Sequence, residues 1–191
     1  MTVHADRKPG WVDLSEDKLL KRGSIRWLTT TALFMGMTVI LSMSIFSIPV
    51  PGGHLYFCDA VIDTAAILLD PVAAFAVGGL GSFIGDMMFY PAPMFVSLVT
   101  HGLQAVAVSL ISHRLFRRKP VLSSSLAVSL GAVIMVAGYT FGRAYVYSTP
   151  EYAILKLPFQ ILQAGFGAVI SMLLLYPMRV RTMFYRLNSL G

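Results

Sequence analysis

Asp59 and Asp63 stand four residues apart, and Gln160 and Gln163 three apart, in stretches that are otherwise apolar. On a helix either spacing puts both side chains of a pair on one face. Carboxylates and amides so placed can hold a proton, bridge neighbouring helices, or grip the ring nitrogens and hydroxyls of a small heterocycle. His54, Tyr56, Asp86, His101, Gln104, Tyr139 and Arg143 extend this polar set. Covalent chemistry has less to work with. No Gly-x-x-x-x-Gly-Lys-[Ser/Thr] loop is present to cradle a nucleoside triphosphate, and no His-Glu-x-x-His helix to hold zinc. Gly79-Leu80-Gly81-Ser82-Phe83 lacks the second glycine of a nucleophile elbow. Cys58 is the single cysteine, which excludes an internal disulfide and a Cys-x-x-Cys site. No metal or cofactor is expected, and binding is favoured over catalysis.

The elements that must position these residues are written in the composition. The chain is 56% hydrophobic and 13% charged over 191 residues, with a mean hydropathy of +0.72. Soluble domains are about 45–50% apolar and about 25% charged. So much apolar side chain would overfill the core of a small soluble domain, so lipid is the expected solvent. At about 20 residues per span, the chain has room for six transmembrane helices. They are expected at 27–48, 55–69, 72–89, 94–115, 124–147 and 152–176, separated by breakers such as Pro49-Val50-Pro51-Gly52-Gly53 and Pro91-Ala92-Pro93. The expected class is an all-α integral membrane protein, a six-helix bundle in the cell membrane. Residues 1–26 are expected as a polar cytoplasmic leader, 27–178 as the membrane domain and 179–191 as a basic cytoplasmic tail.

The net charge of +6 fits membrane topology better than nucleic acid. Lys18, Lys21, Arg22 and Arg26 precede the first span; Arg114, Arg117, Arg118 and Lys119 lie between the fourth and fifth; Arg179, Arg181 and Arg186 follow the sixth. With six spans all three clusters share one side, which the positive-inside rule makes cytoplasmic, together with both termini. The amides and charges then gather in the outer half of the bundle, while hydroxyls such as Thr29, Ser109 and Ser129 occupy the inner half. An ion channel or proton relay would continue through to the other side. This distribution suggests an outward-facing pocket with a sealed floor. Intramembrane charges are costly and therefore functional candidates. Yet Asp59 and Asp86 could equally cap helices or pair with Arg143, and His101 could be a packing histidine. Gly78, Gly79, Gly81, Ser82 and Gly85 give the third helix a small-residue face of the kind used for internal packing. Ala32 and Gly36 make one such step on the first helix, open to another membrane subunit.

Three stretches together resemble a known family: Gly53-His54-Leu55-Tyr56-Phe57-Cys58-Asp59-Ala60-Val61-Ile62, Leu69-Asp70-Pro71, and Gly78-Gly79-Leu80-Gly81-Ser82-Phe83-Ile84-Gly85-Asp86. Their order, with Gly138-Tyr139, Pro158 and Gln163, is similar to the substrate-binding S components of energy-coupling factor (ECF) vitamin transporters. The pattern is most like the branch associated with hydroxymethylpyrimidine, pyridoxine and riboflavin-like cargo, over roughly residues 28–177. The resemblance implies a high-affinity capture subunit of an ECF-type ABC importer for a B-type vitamin or precursor. It also implies a transmembrane coupling subunit and two ATPase subunits as partners, with Ala32 and Gly36 facing the coupling subunit. The expected ligand-contacting set is Tyr56, Asp59, Asp86, His101, Tyr139, Arg143, Gln160 and Gln163, with Tyr56 placed to stack on the ring or close a lid. Relatives often carry Lys at the position of His101, Glu at that of Arg143 and Asn near Gln160. An arginine in place of an acid favours a carboxylate, phosphate or carbonyl-rich ligand, unless Arg143 pairs with Asp59 or Asp86. The alternative is a self-sufficient proton-coupled carrier using Asp63 or Asp86; an intramembrane hydrolase built on His101 and a serine ranks third.

Overall fold

The computed structural model describes residues 19–43, 46–51, 53–116 and 119–189. Ser24 caps the first helix, α1 (Ile25–Leu41), its hydroxyl accepting the Trp27 N–H at 3.2 Å. This helix ends earlier than the expected residue 48, with the Ser42 N–H and hydroxyl both turned back onto the Thr38 carbonyl. The proline-rich breaker is no plain loop. Ile48–Val50 (β1) pairs antiparallel with Gly53–Leu55 (β2), Ile48 opposite Leu55, the only sheet among the described residues.

Beyond the hairpin come α2 (Cys58–Leu68), α3 (Pro71–Phe89), α4 (Met94–Arg114), α5 (Pro120–Tyr147), α6 (Pro150–Leu175) and α7 (Val180–Ser189). The last of these gives a helix to the expected tail. Among the described residues four helices, α3 to α6, are long and apolar enough to cross a membrane, and α1 is a shorter apolar helix. Every residue of α2 is buried, and it packs against α1, α4 and α6. Its 11 residues reach only about 16 Å.

The helices are apolar outside and polar inside. Along α4, Phe95, Val99 and Leu103 are more than half exposed, whereas Ser97, His101, Gln104 and Ser109 are at most 2% exposed. Water would penalise that arrangement and lipid rewards it. The chain is an all-α membrane protein. Its dry core runs through Ile62, Ala66, Ala73, Val77, Ala105, Val108, Ala127 and Leu175. The small face of α3 is internal, as expected. A Cβ on Gly78 would lie 2.7 Å from the His101 carbonyl, and one on Gly85 would lie 2.7 Å from Ser42 Cβ. A π-helical turn at Ala76–Leu80 carries part of this face.

One end of the bundle collects basic residues. Arg22 Nε and Trp27 Nε1 donate to the two oxygens of Asp70, at 2.6 and 2.5 Å, while Asp70 also caps α3 through the Val72 N–H. Ser109 Oγ bonds the Leu69 carbonyl, and Tyr176 OH donates to Pro120 O at 2.8 Å. These bonds draw the start of α1, the α2–α3 turn, the α4–α5 connection and the end of α6 together. Lys18, Arg117, Arg118 and most of the expected leader lie outside the described residues. Asp70→Ala takes the acceptor from three donors, of which the exposed Arg22 head returns to water, and is expected to lower the unfolding free energy by about 1–3 kcal/mol. Thermal unfolding in detergent, with Asp70→Asn as a partial rescue, checks it.

Candidate ligand-binding cavity

At the other end of the bundle a partly open cavity of about 240 Å³ lies between the hairpin and α3, α4, α5 and α6. Close helix approach creates it. Gly138 on α5 lets Thr100 of α4 in, since a Cβ there would lie 2.6 Å from the threonine, and Gly142 similarly accommodates Val96. Gly167 of α6 sits against α2, with the place of its missing Cβ 2.6 Å from Asp59 Cβ. A π-helical turn, Arg143–Tyr147, ends α5 and carries Arg143 and Tyr147 to the cavity. Such turns recur at functional sites.

Seven of the eight expected contact residues line this one space: Tyr56, Asp86, His101, Tyr139, Arg143, Gln160 and Gln163. Asp59 does not. It stands behind the wall, accepting from Gln163 Nε2 at 2.7 Å and facing His101 Nδ1 at 3.7 Å. The other end of the Gln163 amide accepts the Tyr56 N–H at 3.2 Å, so one side chain ties the hairpin exit to α2. Gln160 reaches the Met135 and Val136 carbonyls at 3.4 and 3.3 Å. Both glutamines thus bridge helices while facing the cavity.

The wall formed by α3, α4 and α5 is a hydroxyl chain. Tyr139 OH donates to Ser97 Oγ at 2.5 Å, and Ser97 in turn bonds Asp86 Oδ2. Deeper, Gln104 Nε2 donates to Asp63 Oδ1 at 3.1 Å, which orients the amide so that Oε1 meets His101 Nδ1 at 2.8 Å. With acceptors on that side, Nδ1 carries the proton and Nε2 is the remaining hydrogen-bonding atom of the ring. The His101 and Tyr139 rings meet edge to face, centroids 5.1 Å apart. Ser82 Oγ and Tyr147 OH also line the cavity, buried and without a hydrogen-bond partner among the described residues.

Lys156 is the charged residue that sequence reasoning missed. It lines the cavity, is 3% exposed, and donates from Nζ to the His54 carbonyl at 2.6 Å. Its signal was present: a lysine inside an apolar helix, four residues before Gln160 and so on the same face. Ala32 and Gly36 lie away from the cavity on the outer face of α1, opposite the buried Thr31 and Thr38. A Cβ on Gly36 would meet nothing within 4 Å, so no part of the described chain fills that notch.

The family model of the ECF-type riboflavin transporter S component matches residues 22–180, which take in the whole bundle and every residue lining the cavity. The chain belongs to that family. A Pyrococcus woesei protein, the "uncharacterized protein in gap 3′ region", is 32% identical over 134 residues, covering 69% of this chain and 88% of the relative. This S component is therefore a multi-pass membrane protein, the substrate-binding subunit of an ECF transporter, and not an enzyme. Membership also makes an ECF module its partner and a small vitamin-like molecule its substrate.

Proposed function

We propose that this S component captures a B-type vitamin or precursor with a single pyrimidine- or pyridine-like ring, at the outer face of the cell membrane. The observation that carries the reading is the cavity of about 240 Å³ into which these polar side chains converge. Pockets for drug-sized ligands run to about 300–1,000 Å³, so the volume favours one ring over a three-ring flavin. Tyr56, Asp86, His101, Tyr139, Arg143, Gln160 and Gln163 would contact the ligand, and Asp59 would hold two of them in place. Helices α1 to α6 are read as six membrane-embedded segments, α2 within the ring of the others. The basic end faces the cytoplasm by the positive-inside rule, with both termini there and the cavity outward.

Transport would be driven by a transmembrane coupling subunit and two ATPases, docked over Ala32 and Gly36. The open notch at Gly36 supports this, because small residues let a partner helix approach closely. The test uses the chain expressed alone in detergent. Mass spectrometry of the co-purified small molecule, followed by titration, is expected to find one unmodified single-ring compound in stoichiometric amount. Gly36→Leu should leave that affinity within about twofold while abolishing uptake in cells that also express the coupling subunit and ATPases. Riboflavin itself as the bound species would overturn the single-ring reading. Uptake that proceeds without ATPases and collapses with the proton gradient would establish the proton-coupled carrier instead.

A further inference from the structure

We propose that the cargo presents an N–H or O–H donor to His101 Nε2, and that Asp63, acting through Gln104, is the positioning residue that sets this polarity; this deepens, and rests on, the capture reading above. Asp63, Gln104 and His101 are each at most 2% exposed. They form one chain that starts behind the cavity wall and ends on it. Gly131 of α5 makes room for that chain, since a Cβ there would stand 3.3 Å from Gln104 Cγ and 3.7 Å from Asp63 Oδ1.

A carboxylate only accepts, so Asp63 Oδ1 claims the amide nitrogen of Gln104, at 3.1 Å. The reversed amide would set two oxygens against each other. Gln104 Oε1 is thereby left to His101 Nδ1, at 2.8 Å, and an oxygen there calls for a proton on that nitrogen. Asp59 adds to the same demand. Its Oδ1 is buried without a hydrogen-bond partner among the described residues and faces Nδ1 at 3.7 Å. A neutral imidazole with its proton on Nδ1 keeps a bare lone pair on Nε2. Among the described residues Nε2 makes no hydrogen bond, although His101 lines the cavity. The nearby Tyr139 and Ser97 hydroxyls are committed elsewhere, Tyr139 donating to Ser97 and Ser97 to Asp86. Burying an acceptor without a donor is costly. The cargo is the group that can supply one, so an amino, amide or hydroxyl substituent belongs at this point of its ring.

The test is a titration of the purified chain with matched pairs in which a donor becomes a methoxy acceptor. The pairs are 4-amino-5-hydroxymethyl-2-methylpyrimidine and its 4-methoxy analogue, pyridoxine and its 3-methyl ether, and nicotinamide and methyl nicotinate. Within a pair that binds, the donor is expected to bind about 10- to 100-fold more tightly, the range for leaving a buried polar group unpaired. In Asp63→Asn the new amide can accept from Gln104 or donate to it, so His101 can take either tautomer. Affinity for the methoxy member should rise in that variant and the preference shrink to about threefold or less, a gain that loosened packing cannot produce. His101→Gln can turn either end of its amide to the cavity. It should shrink the preference equally, and it decides if Asp63→Asn does not fold. A methoxy member that binds wild type as tightly as its partner overturns the inference and leaves capture standing. A preference that survives Asp63→Asn or His101→Gln overturns it equally. A chain that binds no member of any pair fails the capture reading itself, and this inference with it.

Discussion

Gly167→Val is expected to abolish ligand binding and to lower the melting temperature in detergent, whereas Gly165→Val, two residues away, leaves both unchanged. At Gly167 a Cβ would stand 2.6 Å from Asp59 Cβ and 3.3 Å from the Ala60 nitrogen and the Asp59 carbonyl carbon. At Gly165 it would meet nothing within 4 Å. Overpacking usually costs about 1–3 kcal/mol. Here much of the obstruction is backbone, so relief requires α6 to move off α2. Such a shift separates Gln163 from both Asp59 and the Tyr56 N–H, the two bonds that close this side of the cavity. Paired thermal melts and ligand titrations of the two variants decide the matter. Wild-type affinity in Gly167→Val would show that the α2–α6 contact does not set the cavity.

Asp59→Ala is expected to weaken binding by about 100- to 1,000-fold, although Asp59 does not line the cavity. Removing one partner from a buried charged contact costs about 3–5 kcal/mol, and about 3–4 kcal/mol of that expressed in binding corresponds to that range. The residues left behind are the ones that face the ligand. Gln163 Nε2 loses its 2.7 Å acceptor, and His101 Nδ1 loses the carboxylate at 3.7 Å, keeping only Gln104. Asp59→Asn preserves the shape and one acceptor oxygen, and should recover part of the loss. Affinity of Asp59→Ala within threefold of wild type would remove Asp59 from any positioning role.

The long helices were legible because prolines and glycines punctuate them. The expected 94–115 is α4 at Met94–Arg114, and the expected third, fifth and sixth spans differ from α3, α5 and α6 only by a few residues at their starts and one at the end of the sixth. The helices begin earlier than expected for one physical reason. Pro71, Pro120 and Pro150 occupy the first helical turn, where proline is welcome, although in sequence each looks like a breaker outside the helix. The hairpin was illegible because two three-residue strands carry too little alternation to register, and their pairing depends on tertiary surroundings.

At the site, depth along each helix was enough to bring seven residues to one cavity. Depth could not separate Asp59, behind the wall, from Asp86, on it, because that distinction depends on rotation about the helix axis. Lys156 was lost against its apolar surroundings. The contrast between Gly36, whose notch is open, and Gly78 or Gly85, whose notches are filled by α4 and by Ser42 after α1, needs coordinates. The sequence motifs alone look alike.

The burial of α2 also constrains how the protein is made. A helix centre tolerates an aspartate at a cost of about 2.5–3.5 kcal/mol, and a large aliphatic residue returns only about 0.3–0.6 kcal/mol. Asp63, at the middle of α2, therefore outweighs Val61, Ile62, Ile67 and Leu68, Asp59 near the helix start adds to the cost, and α2 has no favourable route into hydrocarbon by itself. Its neighbours include α6, which leaves the ribosome well after it. Helix α2 must wait for α6 before it can settle. Insertion of this protein is thus not strictly sequential, and a chain stalled before residue 150 holds its two buried acids without the partner that shelters them.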